Sequence, residues 1–274
     1  MAVKALCVGI NKFKNYPSAA LNGCVNDANE MAGVLKDFLG FKDTDITKLT
    51  DAKATKSAIM KNLKAMVDGA KKGKYTYLVF SFSSHGTQIP DKEGDEPDKK
   101  DEAFCPHDLA QKGDQWDPAY VISDDELHDL LITVPDDVLF ECYFDTCHSG
   151  TGLKAIDLLL TRRPRFIPPP TAIGTRALEG LELRASHKLL NEKGKKHQIL
   201  WAGCRSDQTS ADAKIGDGWH GAFTYYYTRN LRAAKNKITR NELMKKVKAD
   251  LKKGDFDQLP QLECEATNRG KKTG

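Results

Sequence analysis

The chain is predicted to fold as an α/β protein with a mostly parallel central sheet and helices on both faces. Three observations carry this expectation. Short apolar runs of strand type alternate with amphipathic stretches of helical period along most of the 274 residues. The strand-like runs are long enough in apolar residues to be buried between two layers. Polar residues capable of chemistry crowd just after two of these runs, where parallel sheets gather their sites.

In order along the chain, Ala2 to Ile10 is an apolar run with Val3, Leu6, Val8 and Ile10, read as a buried first strand. Val25, Ala28, Ala32, Leu35, Phe38 and Leu39 then recur at helical spacing until Gly40 stops them. Ile59, Leu63, Met66, Val67 and Ala70 mark a second helix with Thr55 as its N-cap, and YTYLVFSFS (75–83) is the strand that follows. Ser123 to Glu126 is a capping-box pattern opening a helix through Leu131, and VLFECYF (138–144) is the next strand. TRRPRFIPPPTAIG (161–174) holds four prolines and three arginines, so it is expected to be a loop or linker in which no periodic element runs. HQILWAG (197–203) is a further buried strand, and a helix is expected from Gly221 to Ala234. The Thr239-x-x-Glu242 box opens a last helix with Leu243, Val247 and Leu251 on one face. QLPQLEC reads as an edge strand, the place where Pro260 is tolerated.

Composition narrows the class. With 40% hydrophobic and 29% charged residues the chain is ordinarily globular, neither disordered nor membrane-spanning. The opening MAVKALCVGINKF reads as a strand and not a signal peptide, so a cytoplasmic location is expected. Seven cysteines, odd in number and without disulfide-type spacing, fit reduced thiols, and the absence of any C-x-x-C or H-x-x-x-H argues against structural zinc. A net charge of +4 is too small to point to nucleic acid, but charge is locally polarised. Asp91 to Phe104 holds seven acids and three lysines, whereas Lys154 to His197 holds ten Lys/Arg and four acids.

Two strand ends carry the chemistry: Ser83-Ser84-His85-Gly86, and Asp145-Thr146-Cys147-His148-Ser149-Gly150. If the two strands are neighbours, His85 comes close to Cys147. A thiol becomes a nucleophile when a base favours its thiolate, and the resulting imidazolium can protonate a leaving amine. The N–H groups of Gly86 and Cys147 would then form an oxyanion hole. Spacing alone leaves the alternative open that Cys147 is a buried small hydrophobe and His85 a hydrogen-bonded loop residue. His148 is assigned to fixing the loop, since consecutive side chains diverge at a strand end.

S-x-H-G at Ser83 to Gly86 and D-T-C-H-S-G at Asp145 to Gly150 resemble the histidine and cysteine motifs of metacaspases, which are caspase-like cysteine peptidases. G-C-x-N-D-A at Gly23, D-E-A-F-x-P-x-D at Asp101, D-D-E-L at Asp124, C-R-x-D-Q-T-S-A-D at Cys204, G-A-F-T at Gly221 and Q-x-P-Q-L at Gln258 are similar to that family in order. The resemblance implies a caspase-like three-layer sandwich in one peptidase domain. Its large part would span 1–153, a basic linker 154–196 and a small part 197–274. It implies cleavage after Arg or Lys, with Asp27, Asp145, Ser83 and Cys24 lining the pocket for the residue before the scissile bond; two carboxylates there would attract a cation and repel aspartate. It implies a calcium activator held by Asp101, Asp124 and Asp125, although Lys154 stands where a further aspartate is expected and a capped helix start also accounts for Asp124 and Asp125. It implies self-cleavage in the linker, with Lys154, Arg162, Arg163, Arg165, Arg176, Arg184 and Lys188 as candidates. Protein or peptide substrates are expected, acted on by a monomer with no organic cofactor, nucleic acid or membrane. The rival class is a non-catalytic caspase-fold scaffold that binds basic partners.

Overall fold

The computed structural model describes residues 2–90, 100–147, 162–170, 198–205 and 208–274. Its first half runs β1 (Val3–Gly9), α1 (Cys24–Leu39), β2 (Ile46–Thr50), α2 (Lys56–Lys71), β3 (Tyr77–Ser83), β4 (Gly86–Pro90) and β5 (Lys100–Phe104). A short hairpin of β6 (Gln111–Lys112) and β7 (Gln115–Trp116) precedes β8 (Ile122–Ser123), α3 (Asp124–Leu131) and β9 (Leu139–Asp145). There follow β10 (Arg162–Pro164), β11 (Gln198–Ala202), β12 (Ala211–Ile215), β13 (Gly218–Gly221), α4 (Ala222–Ala234), α5 (Arg240–Lys253), β14 (Gln261–Glu263) and α6 (Ala266–Arg269).

The main sheet has strand order β14-β11-β9-β3-β1-β2, parallel throughout except for β14, which closes one edge antiparallel to β11. Alternation along the strands divides the core into two layers. Leu78, Phe80, Phe82, Phe140 and Phe144 face α2 and α3 through Leu63, Val67, Leu127 and Leu131. Val79, Tyr143, Ile199 and Trp201 face α1, α4 and α5 through Leu35, Phe223, Tyr227 and Val247. Strands that must satisfy both layers read as continuous apolar runs, and the result is the three-layer caspase-like sandwich.

Local signals place the helix ends. Gly40 adopts φ 77° at the end of α1, Thr55 accepts the Ala58 N–H at 3.2 Å, and Ser123 accepts the Glu126 N–H at 3.1 Å. Thr239 and Glu242 form the reciprocal box that opens α5. Among the described residues no helix is long and apolar enough to cross a membrane, and all seven cysteines are free.

Two expectations change. Ile46–Thr50, a half-buried edge strand parallel to β1, was not expected from its weakly apolar ITKLT. The segment expected to hold no periodic element contains β10, antiparallel to β12 with Arg163 opposite Asp212. The free edge of β12 supplies hydrogen-bond partners, and Pro164 is acceptable because β10 is itself an edge strand. Linker residues 154–161 and 171–196, with Lys154, Arg176, Arg184 and Lys188, lie outside the described residues, as do His148, Ser149 and Gly150.

Candidate active site

The β3–β9 register sets Ser83 opposite Asp145, so both strands end level. His85 and Cys147 therefore each stand two residues past the ends of adjacent strands. Cys147 is fully buried; its thiol donates to the Ser210 carbonyl at 3.2 Å and also takes the Ser210 N–H. His85 is held by Phe13, ring centroids 5.1 Å apart, and by a 2.7 Å hydrogen bond from Nε2 to the Ala19 carbonyl. A carbonyl only accepts, so Nε2 carries the proton and the Nδ1 of a neutral ring keeps its lone pair. Among the described residues Nδ1 has no hydrogen-bond partner. Burial pushes the imidazole pKa down to about 4, against the pull of the Ala19 hydrogen bond. In this arrangement the ring is neutral with its Nδ1 lone pair open, and the Cys147 thiol is turned toward Ser210.

The acidic residues expected around the cleft converge, and a third joins them. Asp27 from the first turn of α1, Asp145 from the end of β9 and Asp212 from β12 all surround the guanidinium of Arg165. Nη2 lies 2.7 Å from Asp27 Oδ2 and 3.1 Å from Asp212 Oδ1; Nη1 lies 3.3 Å from Asp145 Oδ1 and donates to the Asp145 carbonyl at 2.9 Å. All four side chains are buried. Each carboxylate is fixed by donors of its own. Gly221 N–H serves Asp27, Asn22 and Gly23 N–H serve Asp212, and Ser210 Oγ with the N–H and Oγ of Thr224, at the start of α4, serve Asp145. Burial pushes Asp27 up to about 7 despite the attraction of Arg165. Cys24 is buried in the same pocket wall; burial pushes its thiol up, and the Arg165 charge opposes that shift. Ser83 is buried beside Asp145, its carbonyl accepting the Ile10 N–H at 3.0 Å.

The backbone of Arg165 is equally engaged. Its carbonyl oxygen accepts the Gly86 N–H at 2.8 Å and the Cys147 N–H at 3.3 Å, and its own N–H donates to the Ser210 carbonyl at 3.1 Å. The two N–H groups expected to form an oxyanion hole thus share one carbonyl oxygen, that of the residue whose side chain fills the acidic pocket. Arg162 and Arg163 take no part in the pocket. Arg162 bonds the Gly254 and Asp255 carbonyls and lies 4.1 Å over the Phe256 ring, and Arg163 reaches the Ala20 carbonyl at 2.8 Å.

Asp101 and Asp124 are buried and Asp125 partly so, at the β5 and α3 ends. Burial, then Glu102, Asp125 and Asp101, push Asp124 up to about 8. The donors are oxygens suited to calcium, and their mutual repulsion is what a cation relieves. Among the described residues, however, no group of three or more His, Cys, Asp or Glu side chains converges as a metal site.

Sequence reasoning did not assign Asp212, Ser210, Ala19, Thr224 or Gly221 to the site. Asp212 and Ser210 lie in the polar run after a buried strand, a signal that was available. Gly221 was readable only as a helix start, yet a Cβ there would collide with the Asp145 carboxylate and lie 2.6 Å from Arg165 Nη1.

The family model for the metacaspase peptidase C14 domain matches residues 3–156. Metacaspase-1 of Pyricularia oryzae is 29% identical over 297 residues, covering 95% of this chain and 71% of that protein. The chain spans 62–71% of the length of such fungal relatives. A crystal structure of a Geobacter sulfurreducens protein superposes with TM-score 0.69 at 25% identity, covering 99% of this chain and 97% of that one. Caspase-1 of Spodoptera frugiperda superposes with TM-score 0.59 at 13% identity over 96% of this chain and 86% of its own, a likeness of fold alone.

Proposed function

Because the chain belongs to the metacaspase family of C14 cysteine peptidases, we propose that it is an endopeptidase cleaving after Arg or Lys, and that its first substrate is its own Arg165–Phe166 bond. One observation carries the reading. Arg165 has its side chain among three carboxylates while its carbonyl oxygen takes the N–H groups of Gly86 and Cys147. That is how a substrate residue before a scissile bond must be held for attack.

In the proposed reaction the Cys147 thiol turns from Ser210 toward the Arg165 carbonyl carbon and passes its proton to His85 Nδ1. The S–C bond forms while Gly86 and Cys147 N–H hold the oxyanion. Collapse breaks the C–N bond, and His85 returns the proton to the Phe166 nitrogen as it leaves. Water, deprotonated by His85, then hydrolyses the thioester and releases the thiol. Until that bond is cut or displaced, the segment blocks the cleft to other substrates. A monomer is proposed by analogy with the family alone. Asp101, Asp124 and Asp125 would supply part of a calcium site, the remaining oxygens of its usual six to eight coming from elsewhere. Calcium would neutralise the repulsion among them, and its potency should fall as pH drops below about 8, where Asp124 holds a proton.

The test is hydrolysis of fluorogenic Arg, Lys and Asp peptides, with and without Ca²⁺, beside intact-mass analysis of wild type and Cys147→Ala. Expected are turnover of Arg and Lys peptides and wild-type fragments ending at Arg165, both absent from Cys147→Ala. Turnover of the Asp peptide alone would overturn the pocket assignment. A chain that turns over nothing and resists alkylation at Cys147 even after proteolytic removal of the linker would favour the scaffold. Identical activity with and without Ca²⁺ would remove the metal.

A further inference from the structure

We propose that the cleft carries a second specificity site beyond the scissile bond, a subsite for an aliphatic side chain two residues after it, now filled by Ile167. The inference rests on the reading of Arg165 as the residue before the cleaved bond.

The segment changes partners at Arg165. Residues 162–164 pair antiparallel with β12, and the Arg165 N–H continues that ladder to Ser210. Beyond Arg165 the chain pairs instead with the start of β4. Gly86 donates to the Arg165 carbonyl at 2.8 Å and accepts the Ile167 N–H at 3.0 Å, which sets Phe166 opposite Gly86 in a parallel bridge. Two hydrogen bonds to one glycine therefore flank the 165–166 bond, and a substrate reaching past that bond is held in register on both sides of it.

In an extended segment successive side chains point to opposite sides. Phe166 is half-buried and Pro168 exposed, but Ile167 between them is only 8% exposed and belongs to the same apolar cluster as Phe82, Phe104 and Phe144. The position accepts an apolar side chain and offers an acid no partner among those neighbours. It also needs a backbone N–H, because the Gly86 carbonyl accepts one there; proline lacks it. The recognised sequence is thus a basic residue, one loosely constrained residue, then an aliphatic residue that is not proline.

The experiment uses the full chain and internally quenched peptides of sequence Arg-Arg-Pro-Arg-Phe-Ile-Pro-Pro, copying residues 162–169, with Ile, Leu, Gly, Asp or Pro at the sixth position. A coumarin amide of Arg-Arg-Pro-Arg, with no residue beyond the scissile bond, runs alongside. The Ile and Leu peptides should match in kcat/KM, Gly should fall about tenfold, the loss expected for removing a buried aliphatic side chain, and Asp and Pro further. Alanine in place of the Phe166 equivalent should cost less than the Gly peptide does. If the coumarin amide is hydrolysed while the Ile, Gly and Asp peptides share one kcat/KM, the subsite does not exist and the reading of Arg165 stands. If neither the amide nor any peptide is hydrolysed after Arg, that underlying reading fails and takes the subsite with it.

Discussion

Asp27 occupies the first turn of α1, where an acid ordinarily faces solvent and complements the helix dipole, yet its carboxylate is fully buried against Arg165 and the Gly221 N–H. Its residue type and helix position were legible in the sequence; its burial was not, because Gly221 at the end of β13 and Arg165, just after β10, come from far along the chain. The raised pKa has a consequence for binding. The value of about 7 holds with Arg165 in the pocket, whose charge lowers it; an emptied pocket keeps the Asp27 proton to higher pH, so Asp27's share of the attraction for a basic substrate is full only above that range and is lost as pH falls toward about 7, with Asp145 and Asp212 still facing the cation. The KM for an Arg peptide should therefore rise as pH falls toward about 7 and level off below it, and Asp27→Asn should raise KM on the alkaline side while flattening that dependence. A wild-type KM indifferent to pH would separate Asp27 from substrate binding. Gly221 matters for the space it leaves. Gly221→Ala would force the Asp145 carboxylate away from its position, and a displacement of that kind should lower kcat/KM for Arg peptides by roughly 100-fold. Circular dichroism of the variant should remain native.

At the scale of elements, helices announced themselves through local chemistry: Thr55, Ser123 and Thr239 cap where their sequences place them, and Gly40 stops α1. β10 and β2 did not. A run with a proline and three basic residues has poor strand propensity, and Arg162–Pro164 is extended because the edge of β12 and the acidic pocket both receive it. The Arg165 guanidinium is the anchor. Removing one partner of a buried ion cluster costs about 3–5 kcal/mol, more than a backbone hydrogen bond contributes at about 1 kcal/mol. Arg165→Ala should release the segment from the cleft. Hydrogen exchange at the amides of Arg163, residue 165 and Ile167 should accelerate by roughly 100-fold, fragments ending at position 165 should disappear, and an added Arg peptide should be cleaved without prior processing. Unchanged protection of these amides would show that the backbone ladder alone holds the segment.

For the whole molecule, the three-layer plan was legible because burial on both faces of the sheet imposes continuous apolar runs and both helix layers impose period-3.6 stripes, signals that each reside in a few neighbouring residues. What ties the layers together is less visible. Glu141 in the centre of β9 is fully buried; it accepts from Arg240 of α5 at 2.6 Å, Tyr143 at 2.8 Å, Trp201 at 3.0 Å and the Gly274 N–H at 3.1 Å. A glutamate inside VLFECYF looks like an interruption until these partners from β11, α5 and the chain end surround it. Arg240→Leu would leave that carboxylate uncompensated and should lower unfolding free energy by about 3–5 kcal/mol in urea titration, while adding Glu141→Leu should recover part of the loss. A single variant as stable as wild type would show that the network tolerates a bare charge. By itself the sequence determined the order of the core strands β1, β3, β9, β11 and β14 and of helices α1 to α5, the helix caps and the emergence of His85 and Cys147 at strand ends, since each follows from local periodicity and propensity. Only the tertiary structure decided that Asp212 joins the pocket expected to hold Asp27 and Asp145, and that Arg165 occupies it. Those four residues are scattered over 186 positions of chain, and a buried cation is stable only where carboxylates from distant segments have already been brought together and fixed by backbone N–H groups.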